Sequence, residues 1–225
     1  MSNRITYRTA LEIVYHEAIV RQAYKDSVGV WTWSVGLTAA TGHDVLRYKD
    51  NPQTMEHCLA IFVWALEKYA NEVRKRFGNF PLTEAQFAAA LSFHWNTGRI
   101  SSASWVTMFM AGRMADAEKS FLSWNKPKEI EERRKAEADL LFRGKWSANG
   151  TVTEYTRVNP STYAPVWSSG KKVNIETPLR AAMGDEQPVD EPEPTPEPAP
   201  VLPRTRTIVM DEIQALIAEY ATLKE

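Results

Sequence analysis

Several features are scarce in this chain of 225 residues, and each scarcity excludes a class of protein. Its one cysteine, Cys58, cannot form an internal disulfide or a cysteine-based zinc cluster. Its longest unbroken apolar run, Leu59 to Leu66, is far too short to cross a bilayer. The amino terminus lacks the apolar stretch of a signal peptide. We therefore expect the chain to be made and folded in a cytosol as a globular protein.

The net charge is also small, but positive and negative residues are unevenly distributed along the chain. The formal net charge is −1, yet residues 1–184 carry 24 Lys+Arg against 18 Asp+Glu, whereas residues 185–225 carry 3 against 10. A mildly basic body with an acidic tail favours a polyanionic partner for the body. Nucleic acid is one candidate among several.

The tail begins with a change of composition near residue 184. Seven prolines from Pro188 to Pro203 alternate with glutamates, which predicts an extended linker over 185–206. Beyond it, apolar residues at spacings of four and three predict an amphipathic helix over 207–225. Such a helix is marginal alone, so we expect it to dock on the body, self-associate or bind a partner. Its apolar face comprises Val209, Ile213, Leu216, Tyr220 and Leu223.

Apolar periodicity predicts a mainly helical α+β fold for the body. Helices are expected at about 6–23, 54–77, 104–111, 114–124 and 128–143, with another opening at the capping box formed by Thr83 and Gln86. Residues 26–38 turn to β-branched and aromatic types between glycines and predict a hairpin. Residues 147–184 show no clear period, and we expect an irregular extension that packs on the body.

Three polar residues around the predicted hairpin could carry chemistry. Glu17 lies late on the first helix, Asp26 at the turn into the hairpin, and Thr32 in a strand. Two carboxylates and a hydroxyl in one cleft meet the needs of glycoside hydrolysis, in which one group donates a proton and another handles water. Trp31 and Trp33 lie on the strand face opposite Thr32, where core packing is the simpler interpretation and sugar stacking the alternative.

These residues resemble a known signature. The run Glu17-x8-Asp26-x5-Thr32 is similar to the catalytic motif of the phage-type lysozymes, the endolysins of glycoside hydrolase family 24. Two further blocks agree in order and distance: LSFHWNTG at 91–98, and IEERRKAEADLLFRG at 130–144, which is one residue short before its glycine. The resemblance covers residues 8–146.

The resemblance implies a lysozyme-like catalytic domain over 1–146, with a small β-hairpin lobe and a helical lobe flanking a saccharide cleft. The implied reaction is hydrolysis of the β-1,4 bond between N-acetylmuramic acid and N-acetylglucosamine in peptidoglycan. Glu17 would be the general acid, Asp26 and Thr32 would handle the attacking water with inversion, and Arg133 would reach back to Glu17. Thr38, Phe93, Asn96 and Ser104 would bind or support the substrate.

The resemblance also implies that several cofactors and partners are absent. It implies no metal, no organic cofactor, no nucleic-acid partner and no stable membrane insertion. Its site of action would be reached from the host cytoplasm after another protein disrupts the membrane.

Two positions depart from the family pattern, which usually reads Gly-Tyr-Gly-His-Thr where this chain has Ser34-Val35-Gly36-Leu37-Thr38. We interpret Ser34 and Leu37 as altering the floor of the cleft and its stability rather than the catalytic groups. Three alternative functions stay open: a lytic transglycosylase or chitin-type hydrolase, a catalytically silent wall-binding protein, and a nucleic-acid binder.

Overall fold

A computed structural model describes residues 3–184 of the chain. The predicted linker over 185–206 and the predicted helix over 207–225 lie outside the described residues. The described part contains seven α-helices and five strands, joined by short loops and 3-10 turns. In chain order they are α1 (Tyr7–Glu17), β1 (Ile19–Lys25), β2 (Trp31–Ser34), β3 (Leu37–Thr38), α2 (Met55–Phe77), α3 (Glu84–Thr97), α4 (Ser104–Met110), α5 (Met114–Leu122), α6 (Glu131–Arg143), β4 (Thr151–Tyr155), β5 (Gly170–Asn174) and α7 (Glu176–Ala182).

Most helix ends lie where local signals predict them. The Thr54 side chain accepts a hydrogen bond from the His57 amide at the start of α2, and Gly78 caps its end. At the start of α3, Thr83 and Gln86 form both hydrogen bonds of the predicted capping box. Gly144, with φ 67°, ends α6. These predictions are confirmed. Each of them depends only on a few neighbouring residues, which makes helix ends predictable from local sequence.

The first helix is shorter than predicted, and the expectation of a helix to residue 23 is wrong. It stops at Glu17, and Ala18 turns the chain with φ 61° and ψ 176°. Residues 19–25 then form β1, which pairs with β2 on one side and with β4 on the other. Ile19, an apolar residue that the helical period had included, is completely buried as the first residue of that strand. Tertiary pairing overrides local helical propensity here.

The sheet has the order β3-β2-β1-β4-β5. Strands β1 and β2 form an antiparallel hairpin in which Tyr24 lies opposite Thr32 and Lys25 opposite Trp31. Strand β4 runs parallel to β1, and β5 pairs with β4 in antiparallel fashion. The segment expected to be an irregular extension therefore contributes two strands, followed by α7. The sequence of this segment shows no hydrophobic period because its elements are short and because β5 is largely exposed.

The extension is tied to the helical body as well as to the sheet. The completely buried carboxylate of Glu12 on α1 accepts hydrogen bonds from the amides of Ser147 (3.1 Å) and Ala148 (2.9 Å). The guanidinium of Arg180 on α7 lies 4.0 Å from the ring centre of Tyr7. These contacts join the first helix to the start of the extension and to α7.

The core of the helical lobe is centred on α3, whose residues from Phe87 to Trp95 are all buried. Below the hairpin, Trp33 is completely buried, stacks on Tyr48 at 3.8 Å and donates a hydrogen bond to the Arg21 carbonyl. Trp33 is therefore a core residue, as the simpler interpretation held. Trp31 is partly buried and packs against Tyr163 of the extension at 5.0 Å.

Candidate active site

The carboxylate of Glu17 stands at the end of α1, paired with a cation from a distant part of the chain. Arg133 on α6 donates from Nη1 to Glu17 Oε1. The Glu17 side chain is 19% exposed and that of Arg133 is 9% exposed. The carboxylate is therefore accessible but oriented, as a proton donor requires. The contact that the resemblance implied between these two residues is present.

The residue after Glu17 has a strained backbone. The φ and ψ angles of Ala18 fall in a region that is populated almost only by glycine. The Ala18 amide donates to the Val14 carbonyl, and Ile19 begins β1 immediately afterwards. This single turn points Glu17 out of the helix end and leads the chain into the hairpin that carries Asp26. Strain of this kind costs about 1–3 kcal/mol and is concentrated at functional sites.

Gly36 closes the site on the hairpin side. A Cβ atom at this position would lie 3.0 Å from Oε2 of Glu17 and 3.6 Å from Nε1 of Trp95. The φ of Gly36 is +76°, which also disfavours any larger residue. Glu17 thus lies between the backbone of the hairpin and α6.

Asp26 is held by the turn that it opens. Its Oδ1 atom accepts hydrogen bonds from the amides of Val28 (3.0 Å) and Val30 (2.8 Å). Thr32, 4% exposed, follows in β2, and its hydroxyl donates to the Val30 carbonyl at 3.1 Å. Both bonds to the carboxylate use the same oxygen, so the turn orients Asp26 with its second oxygen, Oδ2, unbonded to any residue that the structure describes.

The phenol of Tyr24 is influenced by the charges of both Glu17 and Asp26. Burial raises the pKa of its phenol, and the negative charges of Glu17 and Asp26 raise it further. The charges of Glu17 and Asp26 therefore both act on this partly buried phenol. Tyr24 is not among the site residues selected from the sequence. Its position two residues before Asp26 and opposite Thr32 in the hairpin is the signal that could have identified it.

Behind Arg133 lies a second carboxylate that sequence reasoning left without a role. Glu137 is completely buried, and its Oε1 accepts from Arg133 Nε at 2.9 Å and from Ser92 Oγ at 2.6 Å. Its Oε2 accepts from Arg134, which is also completely buried. Burial lowers the pKa of Arg133, but the charges of Glu17 and Glu137 outweigh burial and hold it above its usual value. Arg133 is therefore a permanent cation.

The other predicted site residues lie in different surroundings. Asn96 accepts a hydrogen bond from Arg134 at 2.7 Å and lines a surface cavity together with Trp124 and Lys126. Thr38 lies opposite Thr32 in the sheet and caps the short turn that follows. Ser104 Oγ lies 3.0 Å from Ser120 Oγ, which joins α4 to α5.

Phe93 needs a correction. The resemblance implied that Phe93 binds or supports the substrate, but direct binding is excluded because the side chain is completely buried. Its ring packs against Trp105, Phe121 and Trp124 and lies under the guanidinium of Arg134 at 4.8 Å. A ring in this position supports the arginine and cannot touch a sugar. A cleft aromatic and a core aromatic cannot be told apart by periodicity on α3, because this helix is buried on most of its surface.

Comparison with known proteins then decides the family. The sequence profile of the phage lysozyme family matches residues 14–137, more than half of the chain, and this span contains Glu17, Asp26, Thr32 and Arg133. The chain belongs to the phage lysozyme family. A search of curated protein sequences finds no match.

Solved structures show the phage lysozyme fold in the described domain. An endolysin from an Escherichia coli phage, FAHEc1, matches with a TM-score of 0.56 at 21% identity, covering 65% of this chain and 97% of its own. A mutant of P22 lysozyme matches with a TM-score of 0.52 at 22% identity (63% and 99%). The muramidase domain of SpmX from Asticaccaulis excentricus matches with a TM-score of 0.52 at 21% identity (62% and 97%). At these identities the likeness confirms the predicted lysozyme-like α+β fold.

The two departures from the phage lysozyme pattern have a structural basis. Ser34 occupies the usual position of a glycine and has φ 55°, a left-handed conformation that glycine adopts without cost. Its buried hydroxyl donates to the Cys58 carbonyl at 2.9 Å, a bond that glycine could not make. Leu37 stands where the family has histidine and is completely buried opposite Trp33. Neither side chain is bonded to Glu17 or Asp26.

Residues 3–184 contain neither a candidate metal site nor a candidate membrane span. No group of three or more His, Cys, Asp or Glu side chains is arranged to hold a metal ion within this range. No helix within it is long and apolar enough to cross a membrane.

Proposed function

We propose that this member of the phage lysozyme family is a muramidase that hydrolyses the β-1,4 bond between N-acetylmuramic acid and N-acetylglucosamine in peptidoglycan. The observation that carries the proposal is a carboxylate at the end of α1, Glu17, paired with Arg133, followed after one strand by a second carboxylate, Asp26, held by two backbone amides. Two carboxylates held by different partners, one by an arginine and one by backbone amides, are suited to different roles.

Glu17 would act as the general acid. Its proton passes to the glycosidic oxygen while the bond from that oxygen to the anomeric carbon breaks. The ion pair with Arg133 fixes the direction of the carboxyl group and stabilises the carboxylate that remains after proton transfer. Gly36 leaves the space that the second oxygen occupies.

Asp26 and Thr32 would handle the water. With Oδ1 held by two amides, Asp26 can accept a proton from a water molecule through Oδ2. The Thr32 hydroxyl gives its own proton to the Val30 carbonyl, so its oxygen is free to accept a second hydrogen bond from that water. Attack on the face opposite the leaving group then inverts the anomeric centre and leaves Glu17 ionised and Asp26 protonated. Proton exchange with solvent returns both groups to their starting states.

The charge of the body suits such a substrate. Residues 1–184 carry an excess of basic residues, and peptidoglycan carries carboxylates on its peptides. This long-range attraction raises the rate of encounter rather than the affinity at the site, and it weakens as salt is added.

The first test compares lysis of purified peptidoglycan by the wild type with lysis by Glu17→Gln and Asp26→Asn. We expect each variant to retain its fold and to lose at least about 100-fold in rate. Asp116→Asn is the matched control, because Asp116 is an exposed carboxylate that pairs with Arg113 on the surface. Equal activity of wild type and Glu17→Gln would refute the assignment of the acid.

The masses of the products separate hydrolysis from the transglycosylase alternative. A hydrolase leaves reducing ends that have gained water, whereas a lytic transglycosylase leaves 1,6-anhydro ends. The presence of a second oriented carboxylate and a hydroxyl in the hairpin favours the hydrolase. Anhydro ends as the main product would overturn that choice. Binding to peptidoglycan without any soluble fragments would instead support the catalytically silent alternative.

A further inference from the structure

Arg133 creates a conflict at the proposed active site. A general acid must carry a proton at the working pH, whereas a guanidinium in direct contact favours the ionised carboxylate. The cluster around Arg133 contains a second arginine, which increases the conflict. Glu137 is bound to both arginines and is the group placed to reduce it.

The hydrogen bonds of Glu137 divide cleanly between its two oxygens. Oε1 accepts from Nε of Arg133, and Oε2 accepts from Arg134. Ser92 on α3 donates a further bond to Oε1, and its carbonyl and hydroxyl lie 3.4 Å and 3.3 Å from Nη2 of Arg133. All three nitrogens of the Arg133 guanidinium therefore have acceptors. Its plane is fixed from behind, with Nη1 directed at Glu17.

Glu137 lowers the net positive charge of the cluster by one. With Glu17 ionised, the two arginines and the two glutamates sum to zero. With Glu17 protonated, the group carries one positive charge. Without the charge of Glu137 these sums would be one and two. The side chains of Glu137 and Arg134 are completely buried, and a buried double charge is far more costly than a single one.

We propose that Glu137 is the counter-charge of the active site: it balances one of the two arginines, so that Arg133 orients Glu17 while the cluster behind Glu17 carries one net positive charge instead of two. Glu137 is a positioning residue, since it acts on Glu17 through Arg133 and does not reach the substrate. The catalytic consequence rests on the proposed function, but the electrostatic effect on Glu17 can be measured without it.

The titratable groups on the other elements around Glu17 make no hydrogen bond or ion pair with this cluster in the part of the chain that the structure describes. On the hairpin, the charge of Glu17 acts on the phenol of Tyr24, and Asp26 is bonded to the amides of Val28 and Val30. On α1, Glu12 and His16 pair with each other at 3.4 Å. The titratable residues of α3 are engaged elsewhere: Glu84 accepts from Thr6, and His94 pairs with Glu72. A change on α6 can therefore be assigned to the Arg133–Glu137–Arg134 cluster.

The test uses two variants of the full chain with opposite expected effects. In Glu137→Gln, we expect the alkaline limb of the pH–rate profile for peptidoglycan hydrolysis to move to lower pH by roughly one unit, because the remaining cations favour ionised Glu17. In Arg134→Gln, which removes a cation, we expect the limb to move to higher pH. The double variant removes one charge of each sign and should return close to the wild type.

Glu132→Gln is the matched control. Glu132 lies on the same helix and pairs with a cation, Lys135, but its side chain is 86% exposed. We expect no displacement of its profile. A purely structural role for Glu137 would loosen the site in both single variants and would not produce shifts of opposite sign.

A second readout separates this proposal from the proposed function. The side-chain carboxyl carbon of Glu17 is titrated by NMR in each variant, and its midpoint should move in the same directions as the alkaline limb. If the wild type does not cleave peptidoglycan, the proposed function fails, and the titration alone decides the role of Glu137. Midpoints that move together or stay fixed overturn the counter-charge. Should one single variant fail to fold, the direction of the other decides.

Discussion

Gly36 and Glu17 approach each other so closely that one methyl group would not fit between them. The Cβ of an alanine at position 36 would lie 3.0 Å from Oε2 of Glu17 and 3.4 Å from its Cδ. The hairpin backbone therefore sets one wall of the space in which the proposed acid works.

Gly36→Ala should accordingly damage activity more than stability. The new methyl group displaces Glu17 from its position beside Arg133, and we expect the rate of peptidoglycan hydrolysis to fall at least about tenfold. Gly112→Ala is the matched control, since Gly112 has a similar φ of +73° and nothing lies within 4 Å of the added Cβ. Both variants should lose about 1 kcal/mol of stability from the positive φ. An equal loss of activity in the two would contradict the steric explanation.

Ala18→Gly should stabilise the protein. Glycine relieves the backbone strain at this position, worth about 1–3 kcal/mol, against an entropic cost of about 0.4–1 kcal/mol in the unfolded chain. We expect a net gain of about 1 kcal/mol in the free energy of unfolding, measured by urea denaturation. The same substitution at exposed Ala60 on α2 should instead cost about 0.5–1 kcal/mol. A loss of stability at position 18 would show that the turn imposes no strain.

Glu12 makes the attachment of residues 147–148 dependent on pH. Burial acts to raise the pKa of Glu12, but its hydrogen bonds with His16, Ala148 and Ser147 outweigh burial and lower it below the ordinary value of 4.5. A carboxyl group with a lowered folded pKa stabilises the protein above about pH 4.5, and that contribution is lost as the pH falls through the folded value. We expect the free energy of unfolding to decrease with acidification in this range.

Glu12→Gln tests this dependence. The variant should lose about 1–3 kcal/mol at neutral pH, show a flatter acid limb of stability, and exchange the Ser147 and Ala148 amides faster. Glu67→Gln removes an exposed carboxylate that pairs with Arg74, and it should leave those two amides protected. Unchanged exchange in Glu12→Gln would show that other contacts hold this segment.

Cys58 should be chemically inert in the folded protein. It is completely buried, and burial raises the pKa of its thiol to about 12, so almost no thiolate is present at neutral pH. We expect no reaction with a thiol reagent at pH 8 until the chain is unfolded in urea. Because the sequence contains one cysteine, any labelling reports this position. Rapid labelling under native conditions would indicate local opening of α2.

The sequence predicted those features that a few neighbouring residues determine. Thr54 and Gly78 mark the ends of α2, and Thr83 with Gln86 marks the start of α3, because caps are local. The end of α1 at Glu17 could not be predicted in this way. Residues 19–23 continue the helical pattern, and they become a strand through pairing with β2 and with β4, which lies more than 130 residues later.

The candidate site divides in the same manner. Glu17, Asp26 and Thr32 could be selected from their motif, and the partner of Glu17 from a second motif. The function that we propose for Glu137 could not be predicted, although it lies in the quoted block. It depends on Ser92, 45 positions earlier in the chain, and on which oxygen each arginine meets. The contact between Ser92 and Glu137 arises from the packing of α3 against α6, and no sequence period indicates it.

The pairing of β4 with β1 has a practical consequence for dissecting this protein. The match to the family ends at residue 137, yet the strand that leads from Glu17 to Asp26 has its outer neighbour in residues 151–155. A fragment cut at residue 146 would remove the strand that pairs with Ile19 and Val20 and leave this part of β1 open to pairing with other molecules, so it would tend to aggregate. Shortened versions intended for crystallisation or activity assays should therefore extend at least through α7.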